Sequence, residues 1–439
     1  MSRSRRFPPS PERYPFFYGW VIVAVGTLGV VSSIPGQTMG VSVFAPRLME
    51  ALRLSSTQLS IAYGLGTLVS GLFLVRAGRL VDRFGVRRAM VLVSVCSGLT
   101  LLLLSSVGII AERISSVLGS GTHTTVAMIV ITLGFFLLRF LGQGLSALVP
   151  RVMIGKWFHR RRGLAVGVSG VLVSFGFGYA PVFFNSLVHA YGWRGAYGLL
   201  GLMVGVGMGT VAWAFYREQP EDFGLVKDGA LPNTEEERGA LHAVRDFTVE
   251  EARRSYEFWV YTASLASQGL IITGLTFHIL AITREAGLSE HQGLSIFLPM
   301  ALVSVFTNLA AGWIGDRSEL KYLLMVQMAA LTLATVSMTM FGDFFWRSLA
   351  IVGFGISGGL FNNVIGVAWA RFYGTLHLGA ISGQNMAIMV VTTAVGPLLF
   401  AASFSITGSY AAGLLLTACF PVSMFFAAAF SGNPQHRAR

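Results

Sequence analysis

Arg139 is the one unambiguous charge within a long apolar stretch of the sequence, residues 125–150. An arginine in apolar surroundings is costly unless it faces a wet cavity or has a partner, so it indicates either anion binding or a bond to helix backbone. Gln143 follows one helical turn later on the same face, and Gly142 leaves room beside it. The spacing predicts a polar site on this helix, with anion binding and a structural bond equally open.

His278 is the best candidate for proton coupling, because histidine changes charge near neutral pH. A histidine bonded to a backbone carbonyl is the favoured alternative, since a single titratable residue is a weak signal. Amides and aromatic residues in other apolar stretches either bond between helices or line water. These further binding candidates are Gln37, Tyr63, Tyr179, Gln268, Asn308, Asn362, Asn363, Trp369, Gln384 and Asn385.

Long apolar helices must position these residues. The chain has 439 residues, is 54% hydrophobic and only 12% charged, whereas a water-soluble protein carries about 25% charged residues. Twelve stretches are long enough to cross a hydrocarbon layer of about 30 Å, which predicts an all-α membrane protein. We place the spans at 18–42, 57–76, 89–110, 125–150, 164–188, 197–215, 258–282, 294–315, 323–341, 347–370, 380–405 and 410–430.

The net charge of +12 reports orientation in a membrane rather than a nucleic-acid partner, because the basic residues form no single binding face. With the N-terminus inside, most of the 32 lysines and arginines fall on cytoplasmic segments. We therefore expect a multi-pass protein of the inner or plasma membrane with both termini cytoplasmic. The basic loop KWFHRRRG, residues 156–163, is expected to contact anionic membrane lipid.

The polar stretch 216–257 contains more than half of the 20 acidic residues and separates six spans from six. Its TVEE sequence at 248–251 predicts a capping box that starts a short helix. Leu68-Val69-Ser70 matches Leu302-Val303-Ser304, and Asp82-Arg83 matches Asp316-Arg317 at the same offset, which indicates a repeat. The predicted parts are a cytoplasmic tail at 1–17, a six-helix half at 18–215, a cytoplasmic linker at 216–257, a second half at 258–430 and a tail at 431–439. The first half is expected to have a longer outer loop at 111–124.

The repeated Gly-x-x-x-Asp-Arg turn, AGRLVDRFGVRR at 77–88 and AGWIGDR at 311–317, resembles the signature loop of the major facilitator superfamily. Further stretches resemble the bacterial monocarboxylate-porter and oxalate/formate-antiporter branch. They are FYGWVIV at 17–23, GKWFHRRRGLAVGVSG at 155–170, GWRGAY at 192–197 and RFYGTLHLGAISG at 371–383. The resemblance implies two pseudo-symmetric six-helix halves that rock about a central cavity.

The resemblance also implies that Asp82 bonds the N-terminal end of helix eleven while the cavity faces outward, and that Asp316 is the weaker copy of this contact. The implied gating residues are Gly78, Asp82, Arg83, Arg88, Asp316 and Arg317. In the animal monocarboxylate carriers, a lysine late in helix one and an arginine in helix eight bind the carboxylate. The matching positions here are Met39 and Asn308.

The sequence contains no P-loop, HExxH motif, Cys-x-x-Cys pair or plausible catalytic triad, so we expect no enzyme activity, no cofactor and no metal. The favoured function is secondary transport of a small organic anion, such as a mono- or dicarboxylate, by exchange or by proton coupling. Efflux of neutral or hydrophobic compounds is the alternative within transport. A non-transporting membrane sensor is the alternative from another class. We expect a monomer whose partners are the solute, membrane lipid and a co- or counter-transported ion such as H⁺, with no nucleic acid.

Overall fold

A computed structural model of the chain describes residues 10–229, 245–289, 292–293 and 295–437. These residues form helices and connections without strands, which confirms the predicted all-α class. Among the described residues, eleven helical segments are long and apolar enough to cross a membrane, and a twelfth is reached if Ile61–Leu74 and Arg76–Phe84, which meet at a bend of 49°, are one span. Parts of the predicted tails and the middle of the linker, residues 230–244, lie outside the described residues.

The helices before the linker are interrupted at several points. The regular helices are α1 (Gly19–Val31), α2 (Thr38–Leu52), α3 (Ser56–Phe84), α4 (Val86–Ser105), α5 (Val107–Leu118), α6 (His123–Leu138), α7 (Ser146–Trp157), α8 (Arg162–Leu202) and α9 (Gly209–Phe215). A 3₁₀ turn at Ile34–Gly36 separates α1 from α2, and π-helical segments at Arg139–Leu145 and Met203–Met208 precede α7 and α9. Gly192 interrupts α8, because its φ of 69° is left-handed and favours glycine.

The helices from Val249 onward are more regular. They are α10 (Val249–Arg254), α11 (Tyr256–Glu285), α12 (Phe297–Gly315), α13 (Leu320–Ser337), α14 (Phe344–Tyr373), α15 (Leu378–Thr407), α16 (Ala411–Ala429) and α17 (Pro434–Arg437). The predicted capping box is confirmed, since the Thr248 side chain accepts from Glu251 N and the Glu251 carboxylate accepts from Thr248 N. Asp343 caps α14 in a similar way through the N–H groups of Phe345 and Trp346.

The structure differs from the predicted elements in two places. The stretch expected to be an outer loop, 111–124, is mostly helical, because α5 extends to Leu118 before Gly119 ends it with a φ of 112°. The alternation of apolar and polar residues in VGIIAERISSVL suits an amphipathic helix better than a loop. The first predicted span is broken rather than continuous. Pro35 and Gly36 form the 3₁₀ turn, and the extended Gln37 (ψ 157°) starts a new helix.

Helix packing divides the chain into two compact units whose boundaries depart from chain order. Unit 1 contains residues 1–157, 175–229 and 382–387, and its core packs Phe44 against Tyr197 with stacked rings. Unit 2 contains residues 158–174, 230–381 and 388–439, with a core around Met328, Leu331 and Phe400. The first third of α8 thus packs within unit 2, and a short piece of α15 packs within unit 1.

Glu218 joins three elements at one end of unit 1. Its Oε2 accepts a 2.6 Å hydrogen bond from Val86 N at the start of α4, where Gly85 has a φ of 79°. Its other oxygen pairs with Lys156 near the end of α7, and these side chains are only 30% and 10% exposed. The carboxylate therefore satisfies a free N–H at a helix end and neutralises a largely buried ammonium group.

Replacing Glu218 with alanine should destabilise unit 1, because the change leaves Lys156 and the Val86 N–H without their acceptor. We expect a cost of about 1–3 kcal/mol, seen as a lower Tm of the purified protein in detergent by tryptophan fluorescence. The matched control is Glu221→Ala, which removes an exposed pair with Lys227 and should cost less than about 1 kcal/mol. Equal losses in the two variants would contradict the role given to Glu218.

Candidate functional site

Arg139 begins the π-helical segment between α6 and α7 and is 3% exposed. One guanidinium nitrogen, Nη1, donates a 3.1 Å hydrogen bond to the Gly36 carbonyl in the break between α1 and α2. This close approach requires glycine, since a Cβ on Gly36 would lie 2.9 Å from Gln143 N and from Gly142 Cα. The broken first helix and the π-helical turn are therefore packed directly against each other around the arginine.

Three other predicted binding residues lie at this site. The Tyr63 ring of α3 faces Arg139 with 5.1 Å between the guanidinium carbon and the ring centroid, a cation–π distance. The Tyr63 hydroxyl donates to Thr38 Oγ1 at 2.9 Å, and Gln37 Nε2 donates to Ser33 Oγ at 3.2 Å. Gln143 Oε1 is buried without a partner among the described residues. The structure thus brings Gln37, Tyr63, Arg139 and Gln143 into one polar cluster, which we call the arginine site.

No carboxylate of the described residues pairs with Arg139, and its Nε is buried without a hydrogen-bond partner. A carbonyl and an aromatic ring stabilise a cation only in part, whereas a buried charge usually needs an opposite charge as well. The bond to backbone, one of the two alternatives for Arg139, is therefore observed, and its Nε remains a donor without a partner among the described residues. Anion binding stays a prediction.

Asp316 lies at the end of α12 and accepts two backbone hydrogen bonds from the start of α8, within unit 2. Its Oδ1 accepts from Gly163 N at 2.7 Å and its Oδ2 from Leu164 N at 3.1 Å. The first N–H groups of a helix have no partner in the helix and carry its positive dipole end, so a carboxylate is favoured there. The second copy of the repeated turn thus makes the type of contact that the resemblance implied for the first.

Glycine–glycine contact lets α8 and α12 approach at this point. A Cβ on Gly163 would lie 2.6 Å from the Gly312 carbonyl oxygen, and a Cβ on Gly312 would be equally close to the Gly163 oxygen. Asn363 of α14 donates to that Gly163 oxygen at 3.2 Å. Asn308 is fully buried beside Gly170, and neither atom of its amide has a partner among the described residues.

His278 uses both ring nitrogens within unit 2. Its Nε2 is 3.0 Å from the Pro397 carbonyl oxygen, and its Nδ1 is 3.3 Å from the Tyr410 hydroxyl. Because a carbonyl only accepts, Nε2 donates in its bond to Pro397. The carbonyl-bonded histidine that the sequence left open is the arrangement observed.

Gln268 and Trp369 are buried in packed interiors. Gln268 Oε1 accepts from Gln327 Nε2 at 3.1 Å and also from the Ser357 hydroxyl, which ties α11 to α13 and α14. The Trp369 ring is 2% exposed, stacks on Tyr373 and lies 5.6 Å from the Phe258 ring. These contacts are typical of helix packing in a membrane.

The other predicted residues are distributed over both units. Asp82 is half-buried near the end of α3, and Gly78 is buried where Gly383 approaches it within unit 1. Arg83 and Arg88 are exposed, and Arg317 bonds to the Trp313 carbonyl and lies over its ring. Tyr179 is 65% exposed. Of the remaining amides, Asn385 is buried, and Asn362 and Gln384 are partly exposed.

Sequence reasoning missed Gln327 and Tyr410, which contact the predicted residues Gln268 and His278, and it also missed Glu218. Gln327 is an amide in an apolar span and could have been found by the criterion used for the other amides. Glu218 and Tyr410 gave no such signal, since each lies in a connection. Among the described residues, no group of three histidine, cysteine, aspartate or glutamate side chains could hold a metal ion.

Removing the Asp316 carboxylate should make the backbone at the start of α8 open more often. In Asp316→Ala, hydrogen exchange of a peptide covering 159–170 should be roughly ten-fold faster, because two charge-assisted bonds to backbone N–H groups are lost. Mass spectrometry of exchanged peptides measures this. Asp343→Ala is the matched control, as it removes a cap from α14 and should affect only the peptide around 344–347. Unchanged exchange at 159–170 would show that α8 is held without Asp316.

Comparison with known proteins places these features in a family. The sequence model of the Major Facilitator Superfamily matches residues 26–397. Monocarboxylate transporter 12 of Mus musculus is 26% identical over 320 residues, which cover 67% of this chain and 64% of that protein. The match therefore spans less than two thirds of the length of that relative.

Solved structures share the fold at low sequence identity. The human organic anion transporter MFSD10 (TETRAN) superposes with a TM-score of 0.64 at 14% identity, covering 95% of this chain and 100% of that one. The E. coli fucose:proton symporter FucP gives 0.62 at 12% identity, covering 94% and 98%. The family match extends over most of the chain and agrees with its apolar helices. The chain therefore belongs to the major facilitator superfamily.

Proposed function

We propose that this protein is a secondary transporter of a small organic anion, such as a mono- or dicarboxylate. The observation that carries the proposal is Arg139, a buried guanidinium without a carboxylate partner among the described residues. A carboxylate solute would supply the missing charge, and two parallel N–H bonds to it are the geometry that arginine favours. An organic anion transporter and a monocarboxylate transporter among the similar proteins support the same substrate class.

The position of Arg139 suits a group that must bind and release. It lies on a π-helical turn and against a 3₁₀ break, and irregular helix segments of this kind are frequent at functional sites. Half-broken helices also expose backbone groups that can meet a solute in the middle of a membrane. Tyr63 and Gln143 would flank the bound anion, with the Gln37 side chain one residue beyond Gly36.

The repeated turns would control access by alternating between bonded and open states. Asp316 accepts from Gly163 N and Leu164 N, and Gly312 packs against the same stretch of α8. We propose that this contact is stable in one state and separates in the other, and that Asp82 with Gly78 acts in the same way. Arg83, Arg88 and Arg317 would hold these turns at the cytoplasmic surface of an inner or plasma membrane.

Exchange is the coupling that the polar contacts favour. His278 has both ring nitrogens engaged, and no carboxylate of the described residues pairs with Arg139. A solute anion returning from the other side would satisfy Arg139 without any titrating partner. The fucose:proton symporter of similar fold makes proton coupling the alternative to be tested.

Arg139→Gln should raise the KM for the best anion by about 30-fold or more, because the lost charge-assisted pair is worth at least about 2 kcal/mol. The assay offers labelled mono- and dicarboxylates to proteoliposomes. Arg139→Lys keeps the charge without the planar fork and should give an intermediate KM. Arg113→Gln removes an exposed arginine of α5 and serves as the matched control.

If Arg139 has only a structural role, Arg139→Gln and Arg139→Lys should both lower the Tm, and the KM of the folded fraction should stay unchanged. Anion uptake that survives Arg139→Gln with an unchanged KM contradicts the proposed role. Transport of neutral compounds in preference to every anion would support the efflux alternative instead. No transport of any solute by a folded protein would favour a sensor.

Vesicles preloaded with unlabelled anion should take up labelled anion several-fold faster than empty vesicles, while an imposed pH gradient should change uptake little. Both results follow if an anion bound to Arg139 on the way back, rather than a proton, allows the protein to return to its starting state. His278→Ala should retain exchange in the same vesicles. Uptake driven by a pH gradient, and lost in His278→Ala, would contradict exchange and assign proton coupling to His278.

A further inference from the structure

A second site is a long apolar groove on unit 1 between α4 on one side and the π-helical segment with α9 on the other. Its volume is about 350 Å³. Glycines form its floor, since a Cβ on Gly98 would lie 2.6 Å from the Gly201 oxygen and from Gly205 Cα. Its walls are open to the surroundings of the protein, with Leu99 54% and Val206 64% exposed.

The length of the groove is close to the thickness of the hydrocarbon layer of one membrane leaflet. Along α4 it extends from Val91 to Leu102, and along the facing helix from Trp213 to Gly201. At 1.5 Å per residue, these stretches correspond to about 17 Å. The hydrocarbon core of a bilayer is about 30 Å thick, so a groove of this length accommodates one extended acyl chain from a single leaflet.

One end of the groove is aromatic and strongly basic. Arg87 Nε donates to the Trp213 carbonyl at 2.8 Å, and its guanidinium carbon lies 5.8 Å from the Trp213 ring centroid. Arg88 begins the stripe that continues through Val91, Val95 and Gly98 at spacings of three and four residues. Tryptophan and arginine together mark the level of lipid headgroups.

Among the described residues, neither Arg87 nor Arg88 forms an ion pair with a carboxylate. Glu218 is already paired with Lys156 and bonded to Val86 N. Arg217, two residues beyond α9, is buried, and burial together with the charge of Arg87 lowers its pKa, while Tyr18 opposes this effect. Two like charges close enough to affect each other are stabilised by an anion between or beside them.

We propose that this groove binds an anionic glycerophospholipid, with one acyl chain over the glycine floor and the phosphate at Arg87 and Arg88. The charge at the headgroup end selects an anionic lipid over a zwitterionic one. The floor consists of glycines, so no side chain obstructs a flexible acyl chain that lies along it. The site is distinct from the arginine site, and its occupancy does not depend on which solute the protein carries.

Trp213 provides the readout, because bromine atoms on an acyl chain quench tryptophan fluorescence on contact. The full-length protein is reconstituted in vesicles with increasing fractions of brominated phosphatidylglycerol or brominated phosphatidylcholine. Subtracting the signal of Trp213→Phe isolates Trp213 from the other tryptophans among the 8 in the chain. We expect phosphatidylglycerol to compete for the site about five-fold better per contributing arginine.

Two variants separate the headgroup from the chain. Arg87→Gln should reduce the preference for phosphatidylglycerol by about five-fold, whereas Arg254→Gln, an exposed arginine in α10, should leave it unchanged. Val206→Phe narrows the groove and should weaken quenching by both lipids. Its matched control is Leu415→Phe at an exposed position of α16, which should have no effect.

Equal quenching by the two lipids would overturn the proposal, because the groove would then contact bulk lipid without selection. Loss of the preference on adding inorganic phosphate would also overturn it, since the basic end would then be a site for free phosphate. A protein dimer that cross-linking detects and Val206→Phe abolishes would assign the groove to a second copy of the chain. Selective quenching that depends on Arg87 and ignores inorganic phosphate supports the lipid site.

Discussion

The hydrogen bond from Arg139 to the Gly36 carbonyl determines how unit 1 can be built. In hydrocarbon, a charged side chain and a free backbone carbonyl both raise the free energy of the folded state. Here the guanidinium donates a hydrogen bond to the carbonyl, which lowers the cost of both groups. The bond requires a carbonyl released from regular helix, which Pro35 and Gly36 provide, and a glycine small enough for the π-helical turn to touch. The break in the first helix, the π segment and the buried charge are therefore one feature.

The same rule governs the helix ends. Each helix begins with N–H groups that lack partners, and the structure supplies carboxylates from elsewhere in the chain, namely Asp316 for α8 and Glu218 for α4. Glu218 is also bound to Lys156, so loss of its carboxylate would leave a largely buried ammonium group without its acceptor. Asp316 bonds two successive N–H groups with its two oxygens, a geometry that the positive end of the helix favours.

Much of the fold could be predicted from composition, because apolar length and charge distribution report directly on membrane helices. The capping box at Thr248 was equally local and was found. The end of α5 was expected to be part of an outer loop, although its apolar residues recur at a spacing that suits an amphipathic helix. For the site, Arg139, Gln143, Tyr63 and Gln37 were all proposed, yet their meeting at Gly36 was not, since a break in one helix and its contact with another have no signature in local sequence.

The two units place polar residues in different ways. In unit 2, Gln268 is bonded to Gln327 and Ser357, and His278 to Pro397 and Tyr410, so these two proposed side chains are satisfied by neutral neighbours. Unit 1 instead holds a cation whose described partners, a carbonyl and a ring, leave its charge uncompensated. A repeat supplies two similar scaffolds, but recognition of one small anion would need only one strong positive group. The resemblance to the animal monocarboxylate carriers places Asn308 where those carriers have an arginine, so we propose that selectivity for a charged solute depends on Arg139.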